Sequence, residues 1–335
     1  MRATAPAWLG AARPDALRVV ALGGGHGLAA TLGALRHVTR DVTAVVTVAD
    51  DGGSSGRLRQ ELGVLPPGDL RMALSALCDE SEWGHIWRDV LQHRFTSEGP
   101  LDGHAVGNLL IVAVWELLGD SVAGLDLIGQ LLGSRGRVLP MASVPLEIEA
   151  DVELPNGPAD QATLVRGQSR VAVTSGRVTK VRLLPEEPPA CTEAVASIMG
   201  ADWVILGPGS WYTSVMPHLL VPGIARALHE TSARLALTLN LSPQQGETDG
   251  FSAADHLRSL REYAPDLRVD VVIADPGAVE DLDDLSAAAE DVGGAMLLRQ
   301  VSAGDGTPHH DTLRLAAAYR DAFDRFLSDV GERSR

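Results

Sequence analysis

The feature that most constrains this chain is a repeated order: a short apolar run, a loop rich in Gly, Asp, Asn or Ser, then a segment of helical period. Leu17 to Leu22 runs into Gly23-Gly24-Gly25-His26-Gly27, and Leu28 to Val38 follows at helical spacing. Val42 to Val48 is a second such run. Trp203 to Leu206, Leu235 to Leu241 and Val269 to Ala274 repeat it, with helices expected from about Pro217 and about Ser252 and a last one from Thr312. Mostly apolar, Val- and Leu-rich runs of this kind suit strands buried on both faces, as in a parallel sheet covered by helices. Between Val144 and Leu184 the pattern changes: Leu146 to Leu154 alternates strictly, and Asn156-Gly157 is a turn signal, so this stretch reads as antiparallel. The expected fold is α/β, a doubly wound, mostly parallel Rossmann-like sheet, with a β-rich insertion over about 141–190 inside a single domain of 17–330. Met1 to Ala16 reads as a loose extension, not a signal peptide.

Composition removes several functions. Of 335 residues 45 % are apolar, enough for a large core, and 28 Lys+Arg against 44 Asp+Glu leave a formal charge of −16. Nucleic acids and anionic membranes need a basic face, so neither is an expected partner. Lys180 is the only lysine, and it lies in a strand-like stretch. A Walker-type P-loop and a Schiff-base enzyme both require a placed lysine, so both are excluded. Cys78 and Cys191, the only cysteines, read as reduced core residues. No apolar run reaches the roughly 18 residues of a membrane span; Leu109 to Leu118 is short and contains Glu116. The expected location is the cytoplasm.

In doubly wound sheets ligands bind beyond the carboxyl ends of the strands, so the loops there are the candidate sites. In Gly23 to Gly27, Gly24, Gly25 and Gly27 would let main-chain N–H groups approach a phosphate at a helix N-terminus, and His26 could donate to it or simply face solvent. Gly25-x-Gly27-x-x-Ala30 also fits a dinucleotide fingerprint, with Asp50 as the ribose acid. The second loop, Asp50-Asp51-Gly52-Gly53-Ser54-Ser55-Gly56, offers two carboxylates for a cation, a ribose or an acceptor hydroxyl, and two serines for a phosphate. Gly52-x-Ser54-x-Gly56 matches a nucleophile elbow formally, but two aspartates separate the serine from its strand. Asp69 reads most simply as a helix cap, Arg71 as a phosphate ligand or an ion-pair partner, and Asn108 as a polar residue at the mouth of an apolar helix. Gly209, Ser210, Tyr212 and Thr213 form a second glycine loop, after Trp203 to Leu206. Two such loops suggest a ligand with separated polar parts, and Tyr212 could stack on it or pack inside. Asn240 opens a further loop, through Gly246-Glu247-Thr248, that could read sugar hydroxyls or brace its neighbours. Asp311 caps the last helix, behind His309-His310.

These motifs occur in one order: Gly23-Gly24-Gly25-x-Gly27-Leu28, Thr47 to Arg59, Pro66-Pro67-Gly68-Asp69-x-Arg71, Gly103-His104-x-x-Gly107-Asn108, Gly207-Pro208-Gly209-Ser210-x-Tyr212-Thr213-Ser214 and Gly246-Glu247-Thr248. The set resembles the bacterial gluconeogenesis factor family of the CofD-like superfamily, over about residues 17–326. The resemblance implies a Rossmann-like regulator that binds UDP-N-acetylglucosamine, acts on a partner protein and supports cell shape and envelope synthesis during gluconeogenic growth. It also implies kinship with 2-phospho-L-lactate transferases, which use Mg²⁺, so Asp50 and Asp51 inherit a catalytic and metal-binding role if this chain is a transferase. No other cofactor is implied, and self-association is compatible with the pattern. The chain departs from the family at His26, Met72, Ala105, Pro243, Gln245 and His309. Three readings follow: a nucleotide-sugar sensor without catalysis, a phospho-lactyl-type transferase, and an NAD(P)-binding protein that lacks a partner for hydride transfer.

Overall fold

The computed structural model describes residues 17–153 and 162–333. The expected extension at 1–16 and the Asn156-Gly157 turn lie outside the described residues. Among the described residues ten strands form two sheets: β1 (Arg18–Gly23), β2 (Asp41–Val46), β3 (Arg137–Pro140), β4 (Glu147–Glu153), β5 (Ala162–Arg166), β6 (Arg177–Leu184), β7 (Trp203–Leu206), β8 (Arg234–Thr238), β9 (Val271–Ala274) and β10 (Ala295–Leu298). Seven of them make a wholly parallel sheet in the order β10-β9-β8-β7-β1-β2-β3. The mostly apolar runs are its central strands, and Leu22, Val45, Ile205, Leu237 and Ile273 are fully buried. From β1 the chain steps outward to β2 and β3, then returns to the other side of β1 with β7 and moves outward again to β10. The crevice between the carboxyl ends of β1 and β7 is therefore the point where strand order reverses.

Helices follow the strands on both faces. Those that position the site are α1 (Gly25–Leu35), α2 (Gly53–Leu62), α3 (Gly68–Leu77), α4 (Glu82–Gln92), α5 (Val106–Leu118) and α6 (Ser121–Leu131). Two boundaries correct the sequence reading. The helix expected from Leu28 begins at Gly25, because Gly24 serves as its extended N-cap residue. The acidic loop is shorter than expected: α2 starts at Gly53, so Ser54 and Ser55 occupy a helical first turn. Helix formers from Arg57 to Leu62 sustain it, and Gly63, left-handed at φ 68°, ends it. The sequence reading assigned no element to β3, to the helix Leu282–Asp291 or to β10. The two strands have only four residues each, too few for a pattern.

The insertion is the three-stranded antiparallel sheet β5-β4-β6. It is tied to the carboxyl edge of the main sheet where Leu146 N–H donates to the Val48 carbonyl at 3.0 Å. On its other side the Val181 N–H donates to the Tyr263 hydroxyl at 2.6 Å. Glu149 is buried in it but accepts from both Arg166 and Arg182, which hold its carboxyl below the usual range. Lys180 lies in β6, and both cysteines are buried and free. Among the described residues no helix is long and apolar enough to cross a membrane.

Candidate functional site

The two glycine loops are not separated. They line opposite lips of the β1–β7 crevice and touch, since a Cβ on Gly27 would lie 1.9 Å from the Pro208 carbonyl oxygen. Gly27 is thus required for close approach. Gly25, at φ +55°, is required for a left-handed backbone. His26 between them is exposed. One compact crevice therefore presents both loops.

On the β7–β8 lip, side chains hold main chain. Asn240 accepts from Gly209 N–H and donates to the Gly209 carbonyl, both at 2.8 Å. Gln244 accepts from Trp211 N–H at 3.0 Å. Glu247 accepts from Tyr212 N–H at 2.8 Å and from the Thr213 hydroxyl at 2.6 Å. Burial pushes the Glu247 carboxyl up, against the pull of those donors. Glu247 is the bracing residue that sequence reasoning left among general possibilities, and its Gly246-Glu247-Thr248 motif was the available signal. Of the two roles the sequence leaves open for Tyr212, stacking on a ligand or packing inside, the structure shows packing. Its ring is buried against Phe251 and Tyr263, so no face is free for a base. Ser210 remains half-buried at the lip, and Thr213 is buried.

The β1–β2 lip is ionisable. The first turns of α1, α2 and α3 converge here. A Cβ on Gly24 would lie 2.5 Å from an Asp69 carboxylate oxygen, and one on Gly68 would lie 2.5 Å from an Asp50 oxygen. The Gly68 N–H donates to the Ser55 hydroxyl at 2.9 Å, and the Gly52 N–H donates to Asp50 at 2.9 Å. Three positive helix ends thus face two carboxylates. Even so, burial raises both acids. The Asp69 carboxyl reaches about 7 through burial and then the nearby Asp50 charge, although Gly25 N–H and Arg71 oppose this. Asp69 is therefore not a helix cap: Pro67 occupies the cap position with no side-chain cap bond, and Asp69 lies inside the first turn facing Gly24 and Gly25. Asp51, expected to pair with Asp50, instead accepts from Ser169 N–H at 2.8 Å in the insertion. The carboxylate pair that the fold assembles is Asp50 and Asp69. A glycine before an acid in a helical first turn, Gly68-Asp69, was its only trace in the sequence.

Arg71 is buried. Its Nε donates to Asn108 Oδ1 at 2.9 Å, and an Nη bonds Gln92 Oε1. These partners are neutral amides, and burial pulls the guanidinium down to about 10 despite the nearby Asp69 and Asp50 charges. Asn108 in turn donates to the Ser54 hydroxyl at 3.0 Å. That hydroxyl also accepts from Ala105 N–H at 3.3 Å and lies 3.0 Å from His104 Nδ1. With two donors aimed at it, the Ser54 hydroxyl gives its only proton to His104, and the buried oxygen faces no open space. The nucleophile-elbow reading fails on this geometry.

Past the ends of β8, β9 and β10 lies a separate cavity of about 480 Å³, whose lining includes Ser242, Asp275, Ser302 and Thr307. Asp275 is fixed there by the N–H groups of Gly277, Val301 and Ser302, each at 2.8 Å. His310 lies near Asp275, and its Nε2 is buried without a hydrogen-bond partner. His309 is exposed, and Asp311 caps the last helix by accepting from Leu313 and Arg314 N–H. Among the described residues no group of three metal-ligating side chains is assembled. A divalent cation would have the Asp50 and Asp69 carboxylates as its protein ligands, with ligand phosphates or water completing the shell. Two neighbouring carboxyls with raised proton affinity fit such an ion, because its charge would replace the proton.

Comparison with known proteins agrees with this architecture. The family model described as 2-phospho-L-lactate transferase CofD matches residues 19–292. A Mycobacterium tuberculosis (strain H37Rv) protein named "Putative gluconeogenesis factor" is 54 % identical over 306 residues, covering 89 % of this chain and 88 % of that protein. The Bacillus subtilis protein named gluconeogenesis factor is 38 % identical over 264 residues, covering 79 % and 80 %. A crystal structure of a UPF0052-family protein from Bacillus halodurans superposes with a TM-score of 0.81 at 32 % identity, over 90 % of this chain and 98 % of that one.

Proposed function

Since this chain belongs to the CofD family, among proteins named gluconeogenesis factors, we propose that it is a nucleotide-sugar-binding regulator whose ligand is UDP-N-acetylglucosamine. On this reading the diphosphate lies in the β1–β7 crevice, against the N-terminus of α1 and the Gly209 main chain, and the rest of the ligand extends toward the cavity beyond β8. One observation carries the regulatory half: the Ser54 hydroxyl, the candidate nucleophile of the acidic loop, has a histidine beside it but is buried and fully engaged by Asn108, Ala105 and His104. Binding would then be the output, read by a partner protein in the control of cell shape and envelope-precursor synthesis.

A second reading rests on the Asp50–Asp69 pair. With a bound Mg²⁺ supplying Lewis-acid charge to phosphoryl oxygens, the residues here would make the site of a 2-phospho-L-lactate transferase-like enzyme. Asp50 and Asp69 would hold the ion, and whichever carboxylate stays unprotonated would accept the proton of an incoming hydroxyl. The NAD(P) reading has no comparable support.

Calorimetric titration with UDP-N-acetylglucosamine, UDP, GDP and NAD, each with and without Mg²⁺, separates these readings when followed by product analysis. Selective UDP-N-acetylglucosamine binding without turnover is the expected result. Release of a mononucleotide from a nucleotide-linked donor would replace the regulator with the transferase.

A further inference from the structure

Helix α4 has two faces of opposite character. Gly84 and Leu91 are buried on the inner one. At about 100° per residue, Trp83, Ile86 and Val90 fall within an outer arc of about 60°, with Trp87 beside it. Trp83 and Ile86 are 54 % and 52 % exposed, values that belong to rim positions rather than to a packed core. The two tryptophans face one another with ring centroids 5.7 Å apart. The Trp83 indole N–H donates to the Leu131 carbonyl at 2.9 Å, which joins this face to the exposed Leu127 and Leu131 of α6. The result is an aromatic and aliphatic face that no described residue covers, on a chain of charge −16. Gln92, the last residue of α4, bonds Arg71, so the face and the candidate site share one helix.

We propose that this α4–α6 face docks a partner protein through a segment that is apolar along one side and flanked by Lys and Arg. Charge decides the occupant. Glu82 and Asp89, seven residues apart, line one flank of the arc and are exposed. A second copy packing α4 against α4 across a two-fold axis would bring this flank against itself, acid to acid, which opposes self-association there. An anionic membrane is opposed for the same reason. A basic amphipathic segment meets both requirements: its apolar side covers the tryptophans and Ile86, and its cations answer Glu82 and Asp89. The proposal does not rest on the nucleotide reading.

The test uses the full chain and two labelled synthetic helical peptides with the same Leu/Trp side, one flanked by Lys and Arg and the other by Glu. Fluorescence anisotropy should show the cationic peptide binding and the acidic one not. Ile86→Asp should weaken binding by at least ~10-fold, as for the centre of an interface. The pair Glu82→Gln with Asp89→Asn should weaken it by ~3-fold and flatten its salt dependence. Leu313→Asp, an exposed position on the last helix, should leave it unchanged, and circular dichroism checks each fold. Three outcomes would overturn the proposal: binding that survives Ile86→Asp, no binding of the cationic peptide, or a dimer that Ile86→Asp dissociates. Titrating UDP-N-acetylglucosamine into the same variants keeps the hypotheses apart, because peptide binding without nucleotide binding leaves the docking face standing and removes the functional reading.

Discussion

The two lips of the crevice use polar side chains in opposite ways. On the β7–β8 lip Asn240, Gln244 and Glu247 are committed to main-chain groups of residues 209 to 213. The lip is rigid and offers shape. On the β1–β2 lip Asp50, Asp69 and Arg71 sit close together with unfinished charge: two carboxyls raised by burial and a guanidinium held by amides. The contrast teaches that one half of a ligand site can be built for position and the other for charge, and that only the second should answer to pH and cations.

The largest effect should come from destroying the contact between the lips. Gly27→Val places a branched side chain into the Pro208 carbonyl, so nucleotide affinity should fall by at least ~100-fold and stability by about 1–3 kcal/mol. Calorimetry and thermal melting check both, and near-normal affinity would mean that the lips need not touch. Glu247→Ala should break the rigid lip alone. The Tyr212 N–H and Thr213 hydroxyl lose their buried acceptor, costing about 2–3 kcal/mol with a matching fall in melting temperature.

The charged lip should show itself through pH. The Asp69 carboxyl is raised from 3.8 to about 7 in the fold, so the folded state holds its proton more tightly than the unfolded chain does. Stability from this group is therefore present at low pH and is lost as pH rises from about 4 to about 7. Asp69→Asn should flatten that slope, raising the melting temperature above pH 7 and changing it little near pH 4. Mg²⁺ should stabilise the wild type above pH 7 but neither Asp69→Asn nor Asp50→Asn, whereas Asp51→Asn should keep the metal response. Equal metal responses in all four proteins would dissolve the distinction between the lips. The smallest effect is expected for Tyr212→Phe, within ~2-fold of wild-type nucleotide affinity, because only the Tyr212 main chain belongs to the lip.

Much of this was legible before any coordinates. The central strands are legible because burial on both faces leaves mostly apolar runs, and Trp203 to Leu206 matches β7 residue for residue. The loops were found because each follows a strand end. Roles within them were less legible. Tyr212 stays open between ligand contact and packing because a loop aromatic carries no mark of its direction, and Asp69 reads as a cap because caps and buried acids occupy neighbouring positions at a helix start.

By itself the sequence determined the alternation of strand and helix, the antiparallel insertion, the absence of lysine chemistry and the set of strand-end loops. These are properties of period, composition and local order, which the chain carries along its length. The tertiary structure alone decided which side chains meet. Asp50 and Asp69 come together because α3 enters the crevice beside β2, while the insertion engages Asp51, whose charge still acts on Asp50. Ser54 lost its candidacy because α5 delivers Asn108 and Ala105 to its hydroxyl. Such pairings join residues tens of positions apart, so they exist only once the sheet order has brought the helix ends together.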